Sequence, residues 1–237
     1  MPSTPYFLAK HAFVCLNGSS LVLLDLKHDR YLALDAVRAG SLDGVVTGWP
    51  VRADGPPPVD AARRIIASML KRGLLTSERS QGKEPVPPHI AAQIDSALDA
   101  HTDAGIRLRP RHVVGFIRAV VTAAWHLRFR SMEWIVADVA RRRAQIVTKG
   151  ADPAPSMLRM ARIFLRLRAF TYNVREACLF DSLALLYFLL REGYQPQWVI
   201  GVRSSPEFMA HSWIQHDATV LNDSADRVSI YTPIMAA

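Results

Sequence analysis

The sequence predicts an α+β protein in two parts, and three observations carry that prediction. Three short β-rich runs open the chain before any helical periodicity appears. A polar, proline-containing stretch without periodicity follows them. Beyond it helices come first and strands last, an order that gives a segregated α+β domain and not an alternating one. Half of the 237 residues are hydrophobic and 21% are charged, which is the composition of a globular chain. The length suffices to bury a core in each part.

HAFVCL, SLVLLDL and RYLAL are the three strand-like runs, separated by turn signals at Asn17-Gly18 and at 27–29. Asp35 is placed to cap a short helix over 36–42. Gly48, Pro50 and the GPPP at 55–58 then break the chain. Asp60 caps AARRIIASMLKRG, whose Ile65, Ile66, Met69 and Leu70 form one apolar stripe closed by Gly73. TSERSQGKEPVPP, at 76–88, reads as an interdomain linker. The predicted division is therefore a domain over 1–76, a linker over 77–89 and a second domain over 90–237.

From 110 to 169 the pattern is helical, with Trp125, Phe129 and Trp134 among arginines. Asp152-Pro153-Ala154-Pro155 interrupts it, and Ser156 begins another helix. REACLFDSLALLYFLL, at 175–190, then sets Cys178 just ahead of an apolar run that reads as a buried helix. Gly193 ends that helix, and PQWVIGV, FMAHSWIQ, ATVL and VSIY are strand-like, a small antiparallel sheet.

The formal net charge of +8 is uneven. Residues 107–168 hold 14 Lys/Arg against 3 Asp/Glu, a net of +11 in one segment. Such a block suits solvated helix faces, an acidic or polyanionic partner, or an anionic membrane surface. Two cysteines, Cys15 and Cys178, are too few for a secreted disulfide framework and point to a reducing cytoplasm. MPSTPYFLAKHAF lacks a basic start followed by an apolar core, so no signal peptide is expected. The apolar run after Cys178 is shorter than the about 20 residues a membrane span needs.

A cysteine nucleophile needs a base nearby and a lowered thiol pKa. Cys178 at a helix start would gain the second from the exposed amides and the macrodipole; taken alone, it reads equally as a packed core thiol. FMAHSWIQHDATVLND holds two strand-like runs around His216, Asp217 and Ala218. With Asp217 at the hairpin centre, opposed residues have numbers summing to about 434, which pairs His211 with Asp223. A slip of one residue would place them on opposite faces. Nucleophile, base and orienter are then Cys178, His211 and Asp223, the arrangement that acyl transfer requires. Asp217 or Asp226 replaces Asp223 if the hairpin is drawn differently. Asp181 reads as a helix cap, His216 as a solvated turn residue and Cys15 as core. A zinc site from Cys178, His211, His216 and Asp223 lacks an anchoring CxxC or close Cys/His pair, so no metal or cofactor is expected.

C-L-x-x-S-L-A-L-x-x-x-L at 178–189, I-G-V at 200–202, A-H-S-W at 210–213 and L-N-D at 221–223 resemble the leader peptidases of lasso-peptide biosynthesis. Those enzymes belong to the transglutaminase-like superfamily. The resemblance implies a papain-like cysteine protease fold over 90–237, with Cys178 as nucleophile, His211 as base and Asp223 as orienter. Ser212 stands where alanine is usual, and Gln215 where an acidic residue is frequent. Residues 1–76 resemble the peptide-recognition domain that accompanies these peptidases, a three-stranded sheet with a winged helix-turn-helix-like trio of helices. This implies that a precursor's leader adds as a strand along Arg30, Tyr31, Leu32, Ala33 and Leu34, beside Ile66 and Leu70 of the last helix. It also implies a partner, a separate ATP-dependent cyclase resembling asparagine synthetase. Residues 60–72 offer few Asn, Gln or Ser to read base edges, so no nucleic-acid partner is expected. Two rival functions share these residues: amide transfer by the same triad, and a precursor chaperone without chemistry.

Overall fold

The computed structural model describes residues 5–52, 59–98, 107–146, 154–169, 171 and 177–237. The expected break at 55–58 lies outside them, as do 152–153 of the one expected at 152–155; Ala154 and Pro155 instead open the next helix, two residues before Ser156. The chain divides into two compact units. One comprises 1–88 with 202–209 and 232–235, the other 89–201, 210–231 and 236–237.

The first unit begins with β1 (Phe7–Ala9), then the meander β2 (Ala12–Asn17), β3 (Ser20–Asp25) and β4 (Arg30–Leu34). β2 pairs antiparallel with β3, and β3 with β4, which leaves β4 on the edge of that sheet. Helices α1 (Ala36–Gly40) and α2 (Val59–Lys71) follow. Asp35 caps α1 by accepting the Arg38 N–H at 2.8 Å. Gly73, at φ +70°, ends α2 in a Schellman turn: its N–H meets the Leu70 carbonyl, and the Leu74 N–H that of Met69. Leu8, Leu21, Leu23, Leu42, Met69 and Leu74 form the buried core.

The stretch expected as a linker is not wholly irregular. β5 (Leu75–Thr76) and β6 (Gly82–Lys83) flank β1 in a second three-stranded sheet. Glycine is needed at 82, because a Cβ there would collide with Phe7 Cβ. This pairing has no periodic signature, since each partner is two or three residues long.

The second unit has β7 (Asp95–Ser96), then helices α3 (Pro110–Phe129), α4 (Met132–Ala144), α5 (Ala154–Arg168) and α6 (Cys178–Arg191). Every residue of α6 from Asp181 to Leu190 is buried, the mark of a helix surrounded by protein. Phe116 of α3 packs on Phe164 of α5 at 5.1 Å between ring centres, and Phe164 on Phe188 of α6 at 5.7 Å. The arginines of α3 and the first two of Arg141, Arg142 and Arg143 in α4 lie on exposed faces, so much of the local positive charge is solvated.

The strands β8 (Gln197–Arg203), β9 (Met209–His216), β10 (Thr219–Val220) and β11 (Thr232–Ala236) join β7 in one sheet, ordered β11-β8-β9-β10-β7. β7 pairs parallel with β10, so the sheet is mixed and not purely antiparallel. VSIY is not a strand. Ser224 accepts the Arg227 N–H and caps a short helix, α7 (Ala225–Ser229), and the last strand begins only at Thr232. Pro233 is tolerated there because β11 is an edge. Among the described residues no helix is long and apolar enough to cross a membrane.

Gly201 of β8 lies under the Trp213 indole of β9, and a Cβ would come within 2.8 Å of that ring. Gly201→Ala should therefore overpack the sheet and lower stability by about 1–3 kcal/mol, read by urea denaturation.

Candidate active site

Cys178 is the first residue of α6, a 14-residue helix, and its thiol is half-buried. Ala177 before it offers no capping side chain, so the first turn opens on backbone amides alone. The helix dipole there favours an anion.

His211 projects from β9 and is buried, and its Nε2 lies 2.7 Å from Asp223 Oδ2. The imidazole's other nitrogen, Nδ1, is thereby left for Cys178, whose thiol pKa the ring lowers. The ring stacks on Tyr231 at 5.0 Å between centres, and on Trp213 at 6.1 Å. Asp223 Oδ1 accepts the Ser224 N–H at 2.8 Å, and Oδ2 also lies 3.7 Å from Arg227 Nε.

The expected hairpin register is off by one. Thr219 pairs with His216 and Val220 with Gln215, around Asp217 in a left-handed conformation (φ +48°). An unbroken ladder in that register would put Asp223 opposite Ser212, on the wrong face for His211. The two residues meet because the ladder stops. The Leu221 N–H still bonds the Ile214 carbonyl at 2.8 Å, but the Ile214 N–H goes to Asn222 Oδ1, also at 2.8 Å. Asp223 thus leaves the strand and turns onto His211.

The electrostatics follow from these contacts. Burial pushes the Cys178 thiol up, but the His211 hydrogen bond and charge, with backbone hydrogen bonds at Ser212 and Leu179, outweigh it and the net shift is downward. Burial pulls His211 down, and its hydrogen bonds to Asp223 and Cys178 reverse this to a raised pKa. Asp223, raised by burial, is held low by His211, the Ser224 N–H and Arg227. All three shifts favour a thiolate, an imidazolium and a carboxylate in a row. Such a row can attack a carbonyl and protonate a leaving group.

The family model of the transglutaminase-like superfamily matches residues 119–236. That region is a transglutaminase-like domain. The superfamily commonly has cysteine-protease or transferase activity. No curated protein and no solved structure shows significant similarity to the chain. The match contains Cys178, His211 and Asp223 and begins inside α3.

Within the transglutaminase-like domain the other candidates lie elsewhere. Asp217 is exposed and pairs with His216 at 3.5 Å. Asp226 lies in the first turn of α7. Asp181 is not a cap: it is fully buried, in an ion pair with Arg168 at 2.8 Å. Gln215 is also buried, its amide donating to the Ala91 and Asp217 carbonyls and accepting from Trp213 Nε1. Among the described residues no group of three or more His, Cys, Asp or Glu is placed to hold a metal ion.

In the first unit Cys15 is buried in β2, and burial pushes its thiol up to about 12. A groove of about 530 Å³ runs between β4 and α2, with Leu32, Leu34, Ile65 and Met69 in its lining. Arg38, Arg64 and Arg72 also line it. Ile66 and Leu70, expected beside β4, pack against the core, while Ile65, Ser68 and Met69 line the groove. A second cavity, about 410 Å³, adjoins Arg30, Tyr31 and Leu32. Antiparallel alternation from the Asn17–Ser20 pair turns the backbone N–H and C=O of Ala33 away from β3, toward the open edge.

Iodoacetamide alkylation of Cys178, followed by peptide mapping against pH, should show a midpoint below the ordinary thiol value of 9.0. His211→Ala removes the downward contributions of the imidazole and leaves burial. The midpoint should rise, and the rate at pH 7 should fall on the order of tenfold or more.

Proposed function

We propose that this chain is a cytoplasmic leader peptidase, which binds a ribosomally made lasso-peptide precursor and cleaves off its leader. The observation that carries the proposal is Cys178 at the start of α6, electrostatically coupled to a His211 whose Nε2 lies 2.7 Å from the Asp223 carboxylate. The quoted sequence motifs around these residues supply the substrate class.

In this reading the Cys178 thiolate attacks the carbonyl carbon of the scissile peptide bond, and amides at the start of α6 stabilise the oxyanion. His211 gives the proton on Nδ1 to the departing core amine, leaving the leader as a thioester on Cys178. The neutral imidazole then takes a proton from water, whose oxygen displaces the thiolate and releases the leader acid. Asp223 holds the ring with Nδ1 toward sulfur throughout. The freed amine suits ring closure by a separate ATP-dependent cyclase, a partner that belongs to the same proposal.

Leader binding is assigned to the first unit, read as a winged helix-turn-helix-like recognition domain. The open edge at Ala33 can accept one more strand. The groove beside it suits apolar leader side chains, and its three arginines suit acidic ones. Holding the leader there raises the effective concentration of the scissile bond.

A precursor peptide incubated with the protein should give free leader acid and free core by mass. A leader joined to an added amine would instead favour amide transfer, the second reading that the same row of side chains allows. Cys178→Ala should lower product formation on the order of 10³-fold or more. Persistent cleavage in that variant removes the proposal. Ala33→Pro deletes the outward N–H but spares the β3 ladder. It should weaken precursor binding about tenfold, read by fluorescence polarisation, and leave Cys178 alkylation unchanged.

A further inference from the structure

Below the thiol and imidazole lies a polar network that crosses from α5 to α6 to the end of the β9–β10 hairpin. Arg168 Nη1 donates to Asp181 Oδ2 at 2.8 Å and reaches the Asn222 carbonyl at 3.3 Å. Asn222 Nδ2 donates to the same Asp181 oxygen at 2.9 Å and to Ser182 Oγ at 3.2 Å. The single Ser182 hydroxyl proton is shared between the carbonyls of Cys178 and Ser212, each 2.7 Å away. Ser212 Oγ in turn accepts from Trp198 Nε1 at 2.8 Å. Asp181 is wholly buried, and the Arg168 side chain is only 12% exposed.

Three features set this network apart from ordinary core bonding. It ties the residue one turn past the nucleophile to the backbone one residue past His211. It takes the Ile214 N–H away from the ladder, the event that releases Asp223 toward the ring. And it keeps a full ion pair where an apolar pair would fill the space without the desolvation cost.

We propose that Asn222, clamped by the Arg168–Asp181 ion pair, is the positioning residue of this site: it ends the β9–β10 ladder at the residue that lets Asp223 reach His211, and holds the start of α6 against β9. Asn222 suits that task because its amide is both donor and acceptor. Oδ1 replaces a strand carbonyl while Nδ2 binds the helix side. Neither Asp nor Leu offers both. The role concerns the geometry of the row, so it holds for hydrolysis and for amide transfer alike.

The test uses the full chain and reads Cys178 alkylation against pH, with a thermal melt as the check on folding. Asn222→Ala should fold and move the alkylation midpoint upward by about one unit. The double variant Arg168→Met with Asp181→Leu replaces the buried pair by apolar side chains of similar size, an exchange that often leaves stability intact. It should raise the midpoint even though Asn222 is present. Arg168→Lys keeps the charge at Asp181 but loses the forked reach to the Asn222 carbonyl, and should fall between the two. A purely structural network would alter the melt and leave the midpoint in place. Folded variants with the native midpoint therefore overturn the proposal. If Asn222→Ala does not fold, a native midpoint in Arg168→Lys and in the double variant has the same force.

Discussion

The burial of α6 on every side is the constraint on which the rest of the second unit depends. Ten consecutive residues, Asp181 to Leu190, are out of solvent, and each fully buried Leu or Phe contributes on the order of 1.5–3 kcal/mol. A helix held this way cannot rotate or slide without opening a cavity. Outside that stretch only Cys178, Leu179 and Phe180 at the start and Arg191 at the end reach solvent, and Cys178 stands first. Immobility of the thiol is thus a by-product of packing, and the sheet needs only to present His211 at the right height.

The site itself is a contest between burial and partners. Desolvation alone would push the Cys178 and Asp223 pKa values up and that of His211 down. Mutual hydrogen bonds turn all three the other way. Cys15 shows the outcome when no partner is present: in the same chain a buried thiol moves up to about 12. What sets the activated cysteine apart from the inert one is chiefly the His211 imidazole, aided by backbone hydrogen bonds at Ser212 and Leu179.

Much of this was legible in the sequence. The apolar run through Leu183 and Leu190 marked a buried helix, and the strands HAFVCL, SLVLLDL and RYLAL occur where their composition placed them. A hairpin count centred on Asp217 pairs His211 with Asp223, and the two side chains do meet, for a reason that count does not contain. The register is one residue different, and Asn222 breaks the ladder. Arg168 was out of reach because its partners are 13 and 54 residues away and its own helix repeats arginine without distinction. VSIY looked like a strand by composition, but the Ser224 cap decided for a helix. The pairing of β6 with β1 rests on tertiary contact across a segment whose local signals read as a linker.

Cys178 and His211 shift one another toward thiolate and imidazolium. Nitrogen-15 NMR of selectively labelled His211 tests this most directly. The ring should titrate with a midpoint above the usual histidine value of 6.5, and that midpoint should fall in Cys178→Ala. A His211 midpoint at or below 6.5 in the native protein, unmoved in Cys178→Ala, would contradict that mutual shift.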